Sequence, residues 1–111
     1  MVDRLGCRLA DRLAAIAIVS GAYLLWNDCQ PSRPLPVLAF HGTGDEIVPY
    51  EGEGRVLPPV RTWAEAWASR DGCRAGPETI HREGAVTGER RSACADSAEV
   101  WLYTIEGGGH W

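Results

Sequence analysis

Lysine is absent from this chain of 111 residues, so arginine supplies all 11 cations against 15 carboxylates, for a formal charge of −4. The missing lysine reads as a coding bias rather than as chemistry. The charge balance has a consequence: no stripe of cations is available to neutralise phosphates, which excludes nucleic acid as a partner. Long apolar runs are missing too. The longest, Leu13 to Val19, falls far short of the roughly 20 residues of a membrane-spanning helix, which excludes a membrane partner. Met1-Val2-Asp3-Arg4 lacks the charged n-region, apolar h-region and small-residue cleavage site of a secretory signal. The four cysteines, Cys7, Cys29, Cys73 and Cys94, fit neither a zinc spacing nor a redox Cys-x-x-Cys. Their even count permits two disulfides, in more than one connectivity, and so an oxidising compartment. Last, no Ser, Cys or Asp stands in a Gly-x-nucleophile-x-Gly turn.

What is present suits a globular core. Hydrophobic residues make up 45% and charged residues 23%, and nothing is low in complexity, so residues 1–111 are expected to form one unit. Val2, Leu5, Leu9 and Leu13 recur at helical steps between charged residues, which predicts an amphipathic helix from the first residue with those four on its buried face. Ala14 to Val19 reads as a strand buried on both faces. Asn27 to Pro36, with Pro31 and Pro34, is a loop, and Val37 to Phe40 is a second buried strand. A looped stretch from Glu51 to Pro59 feeds a helix with Val60, Trp63, Ala64, Trp67 and Ala68 on one face and Asp71-Gly72 as its stop. Glu78 to Arg82 and Val86 to Arg90 are either short strands or irregular. Val100 to Ile105, aromatic and β-branched, is a further strand. Long crossovers between these runs predict an α/β fold built on a parallel sheet with flanking helices.

Two strand exits carry the candidate chemistry. Val37 to Phe40 runs into His41-Gly42-Thr43-Gly44-Asp45, and Val100 to Ile105 runs into Gly107-Gly108-Gly109-His110. Loops beyond the carboxyl ends of parallel strands converge on one crevice, where a carboxylate can fix the tautomer of an imidazole and stabilise its cation. Alone, Asp45 is an ordinary turn residue and His110 an ordinary tail residue. Together, acid before histidine and both after strands, they follow the order in which α/β-hydrolases place these groups behind the nucleophile.

His41-Gly42-Thr43-Gly44-Asp45-Glu46-Ile47-Val48-Pro49-Tyr50, then Trp63-Ala64, Gly72-Cys73 and Cys94, then Leu102-Tyr103-Thr104-Ile105-Glu106-Gly107-Gly108-Gly109-His110 resembles the carboxyl-terminal half of secreted polyhydroxybutyrate depolymerase and feruloyl esterase-like α/β-hydrolases. Leu9-Ala10-Asp11-Arg12, Ala14 to Ala17 and Ser20-Gly21 are similar to that family's helix and strand just after the nucleophile elbow. The resemblance implies a partial α/β-hydrolase fold whose amino-terminal half, with its Gly-x-Ser-x-Gly-Gly elbow, is missing here. It implies Asp45 as triad acid and His110 as general base, a carboxylic ester as substrate (polymeric hydroxyalkanoate or plant cell-wall ester), no cofactor, and an extracellular or periplasmic full-length protein. It also implies the pairs Cys7 with Cys29 and Cys73 with Cys94, each closing a loop of about twenty residues worth roughly 3 kcal/mol. The chain departs from the family at its end, where Trp111 follows His110 directly rather than after one intervening residue.

Other residues also carry reactive or ligating groups. Ser20 precedes Gly21 but lacks the first glycine of an elbow, which favours a structural hydroxyl. His41, Asp45, His81 and His110 offer metal-ligand atoms, yet His41 and Asp45 lie across a turn, without ligand spacing, and no metal is expected. Trp63 and Trp67 share a helix face and read as core. Tyr50 and Trp111 are candidates to line an acyl pocket, against the plainer reading of exposed loop aromatics.

Overall fold

Three apolar runs lie side by side in one sheet. The computed structural model describes residues 2–21, 24–25 and 28–110. Among them are α1 (Val2–Leu9), β1 (Ile16–Val19), β2 (Val37–Gly42), α2 (Val60–Arg70), β3 (Ala75–Glu83), β4 (Val86–Ser92) and β5 (Val100–Ile105), with 3-10 turns at Ala10–Arg12 and Ala95–Ser97. The strand order is β1-β2-β5-β4-β3. β1, β2 and β5 are parallel, whereas β4 runs antiparallel to both β5 and β3. The sheet is therefore mixed, not parallel throughout. The reason is local: β3 and β4 are joined through Gly84-Ala85, with Gly84 at φ 58°, and so short a link permits only an antiparallel pair. Glu78 to Arg82 and Val86 to Arg90, which by sequence are either strand or irregular, lie in these two strands.

The helices cover one face. α2 buries Val60, Trp63, Ala64, Trp67 and Ala68 and packs across β5, as its periodicity dictates. Trp63 and Trp67 are wholly buried; truncating either to alanine would cost about 3–5 kcal/mol. Arg61 pairs with Glu89 at 2.6 Å, and Arg91 with Glu65, so ion pairs tie α2 to β4.

The first helix turns a different face inward from the one expected. Its buried residues are Asp3, Gly6 and Cys7, followed by Ala10, while Val2, Leu5 and Leu9 are each 39% exposed. Leu13 alone of the expected face packs against the core. Three constraints set the rotation. A Cβ on Gly6 would lie 3.1 Å from both Ile16 and Trp67, so the helix approaches closely only through its small residues. Trp67 Nε1–H donates to Asp3 Oδ1 at 2.9 Å. Cys7 is bonded to Cys29. Hydrophobic periodicity sees none of these, because they involve a small residue, a buried carboxylate and a covalent link. The second disulfide joins Cys73 to Cys94, so both implied pairs are present.

The opposite sheet face is open. β1 buries Ile16 and Ile18 but exposes Ala17 and Val19, which corrects the expectation of a strand buried on both sides. On that face Phe40 stacks on Tyr103 at 5.1 Å, with Trp101 and His81 beside Tyr103. Gly88 leaves the space: a Cβ there would lie 2.7 Å from the Tyr103 ring. The two sheet edges differ in kind. β3 carries Pro77, four charged or titratable side chains among Glu78, His81, Arg82 and Glu83, and register shifts, all features that block strand addition. β1, Ile-Ala-Ile-Val, carries none.

Asp71, fully buried behind α2, ties the long loop to the helix: its Oδ1 accepts the Leu35 N–H at 2.8 Å. Burial pushes its carboxyl up to about 6, against the opposing pull of the Leu35 N–H and the nearby Arg70. Below about pH 4 folded and unfolded chains both hold this proton; between there and 6 only the folded chain does, so stability falls as pH rises through that window.

Two outcomes follow. Val19→Lys places a charge on the bare β1 edge and lowers self-association, seen as a shift toward monomer in light scattering with an unchanged circular dichroism spectrum; undiminished association would show that the edge is not the sticky surface. Asp71→Asn flattens the loss of stability between about pH 4 and about pH 7, which in the wild type amounts to at most about 3 kcal/mol. Urea unfolding at both ends of that range reads the difference.

Candidate functional site

The parallel register of β2 and β5 pairs His41 with Thr104 and Gly42 with Ile105, so both strands leave the sheet at the same end and side by side. Their loops then interlock through backbone. Thr43 N–H donates to Ile105 O at 3.0 Å, Gly44 N–H to Gly108 O at 2.9 Å, and Gly107 N–H to the Thr43 hydroxyl at 2.7 Å. Such proximity requires glycine at position 42: a Cβ there would fall 2.1 Å from Gly108 O. Gly107, at φ 74°, turns the second loop back. Sequence therefore fixes the meeting of the loops by what it omits, namely side chains.

The result is a hydrogen bond between His110 Nδ1 and Asp45 Oδ2 at 2.9 Å. A carboxylate only accepts, so Nδ1 carries the proton and Nε2 is left as the basic nitrogen of the neutral ring. The Asp45 side chain is fully buried and that of His110 is 37% exposed, so one partner is locked and the other reaches solvent. Asp45 Oδ1 is also occupied, accepting the N–H groups of Ile47 and Val48, each at 2.8 Å. Burial opposes ionisation of Asp45 and is the largest single influence. The Val48 N–H, the His110 imidazole and the Ile47 N–H together outweigh it and hold the carboxyl below the ordinary range.

His41, which by sequence offers only metal-ligand atoms, lies against the pair. The ring is wholly buried, and its Nε2–H donates to Val48 O at 2.7 Å while lying 3.4 Å from Asp45 Oδ2. The one signal was the four-residue spacing of His41 and Asp45 across the turn. Tyr50 is buried rather than exposed, its ring edge-on to His41 and its hydroxyl 2.7 Å from Thr104 Oγ1. With Thr43, Thr87, Arg61 and Arg82 it lines a polar cavity of about 360 Å³. Trp111 lies outside the described residues. Ser20 is buried at the end of β1, with φ 54° and its N–H bonded to Phe40 O. His81 sits away on β3 beside Tyr103. Among the described residues no group of three or more His, Cys, Asp and Glu is arranged to hold a metal ion, and no helix is long and apolar enough to cross a membrane.

The chain is similar to feruloyl esterase B from Piromyces equi, 32% identical over 127 aligned positions that take in 99% of this chain and 22% of that protein. The chain thus spans about a fifth of the length of the curated relative it matches. No family model matches. The similarity amounts to a distant relationship to an esterase.

Because folding lowers the Asp45 carboxyl, its stabilisation is complete above the ordinary carboxylate range and is lost as pH falls through the folded value. Asp45→Asn should cost about 1–3 kcal/mol at neutral pH, and the gap to the wild type should narrow below about pH 4. Chemical denaturation across acid pH measures it, and a gap that stays constant would show that ionised Asp45 is not the source.

Proposed function

We propose that this chain is the carboxyl-terminal part of a single α/β-hydrolase domain that cleaves carboxylic esters by acyl transfer. Asp45 orients His110, and His110 moves the proton for a serine hydroxyl that none of the 111 residues supplies. The observation that carries this reading is the 2.9 Å bond from His110 Nδ1 to a buried carboxylate oxygen whose partner oxygen is already held by two backbone N–H groups. That arrangement leaves Nε2 as the unprotonated nitrogen of a ring that is 37% exposed, the form a general base requires.

In the reaction, the serine oxygen bonds to the ester carbonyl carbon as Nε2 takes its proton. The resulting imidazolium is stabilised by Asp45 and returns the proton to the departing alkoxide, leaving an acyl-enzyme. Water repeats the sequence and releases the acid. Oxyanion donors would come from outside this chain, one of them the N–H after the serine. A plant cell-wall ester such as a feruloyl ester, or a polymeric hydroxyalkanoate, is the substrate range we infer, a feruloyl ester being supported by the name of the relative. The two disulfides support an extracellular or periplasmic site of action. The absence of an elbow motif favours a second reading, a non-catalytic hydrolase-like chain.

One experiment separates them. The 111 residues alone should show no serine-dependent turnover of p-nitrophenyl acetate, since loss of a triad nucleophile costs on the order of a millionfold. Joined behind an esterase segment that carries a Gly-x-Ser-x-Gly elbow, they should restore labelling by a fluorophosphonate probe and ester turnover, and His110→Gln should lower that turnover by roughly 10⁴-fold or more. A folded, labelled chimera indifferent to His110→Gln would overturn the assignment, and a folded chimera that never labels would favour the non-catalytic reading.

A further inference from the structure

His41 stands beside the pair without belonging to it. The first strand exit delivers it wholly buried, four residues before Asp45, beside the same carboxylate oxygen that His110 approaches. A carbonyl oxygen only accepts, so the 2.7 Å contact to Val48 O fixes the hydrogen on Nε2. That carbonyl belongs to the residue whose N–H, with that of Ile47, holds Asp45 Oδ1. The imidazole therefore clamps the far end of the turn that clamps the carboxylate. The same Nε2–H lies 3.4 Å from Asp45 Oδ2, the oxygen that also receives His110 Nδ1–H. Each oxygen of Asp45 thus has a fixed neighbour besides His110, and rotation about its Cβ–Cγ bond would break contacts at both oxygens.

His41 is wholly buried. Tyr50 meets its ring edge-on with centroids 6.0 Å apart, and the Tyr50 hydroxyl is tied to Thr104, the residue paired with His41 across β2 and β5. A ring placed between the sheet, the turn and the acid transmits the position of the strand to the carboxylate, as a second tier of contacts does for a metal ligand.

We propose that His41 is a positioning residue for the Asp45–His110 pair, holding the 45–48 turn shut through Val48 O and keeping Asp45 Oδ2 turned toward His110. It does not touch substrate or move a proton in the reaction. The proposal rests on the reading of Asp45 and His110 as acid and base, and it is tested on the 111-residue chain without any turnover assay.

The readout is proton NMR of the two imidazole N–H groups in the ¹⁵N-labelled protein. The His110 Nδ1–H, bonded to a buried carboxylate, gives a far-downfield resonance that Asp45→Asn removes. In the wild type the His41 Nε2–H should exchange slowly with water. His41→Phe should speed exchange of the His110 proton about tenfold or more, or abolish its resonance, while the amide spectrum stays dispersed. His41→Gln, whose side-chain amide donates over a similar reach, should restore most of the protection. Should His41→Phe not fold, His41→Asn, too short to reach Val48, takes its place with the same two outcomes. An unchanged His110 resonance and exchange rate in the Phe or Asn variant would overturn the proposal, as would rapid exchange of His41 Nε2–H in the wild type. Absence of the His110 resonance from the folded wild type would instead sink the acid and base pairing itself.

Discussion

The parallel pairing of β2 with β5 is the constraint from which the site descends. Because His41 stands opposite Thr104 and Gly42 opposite Ile105, two loops far apart in sequence leave the sheet together, and their first residues bond to each other. A slip of one residue would carry every side chain of a strand to the other face. It would also bring Thr43 or His41 against Gly108, where only a glycine fits. Register, glycine placement and the Asp45–His110 bond are thus one condition seen at three scales.

Burying a carboxylate is costly unless its oxygens are satisfied, and Asp45 shows how the cost is offset. Two backbone donors hold one oxygen and His110 the other, so the group stays ionised despite its surroundings. Asp71 is the contrast in the same molecule. It too is fully buried, but with a single donor on one oxygen and Oδ2 unmatched among the described residues, and its carboxyl is pushed up to about 6. The number of N–H groups, more than depth, separates the two.

Much of the site was readable because its signals are short and local. Strand runs ending in Gly-Thr-Gly-Asp and Gly-Gly-Gly-His locate both residues, and the face of α2 follows from simple helical spacing. What resisted reading depended on distant partners. The rotation of α1 is set by a disulfide, by an indole donating to Asp3 and by the thinness of Gly6. The antiparallel half of the sheet rests on charged strands, Ala75–Glu83 and Val86–Ser92, whose outward side chains obscure the alternation that marks a strand. His41 and Tyr50 look like loop residues in sequence, and only the fold reveals them as buried props beneath the turn.

His110 presents a basic Nε2 because Asp45 holds its Nδ1 proton. ¹⁵N chemical shifts of the His110 ring, taken at a pH where it is neutral, test this most directly. A single tautomer protonated at Nδ1, collapsing to an averaged pair in Asp45→Asn, is the expected result. A ring already averaging between both nitrogens in the wild type would contradict it.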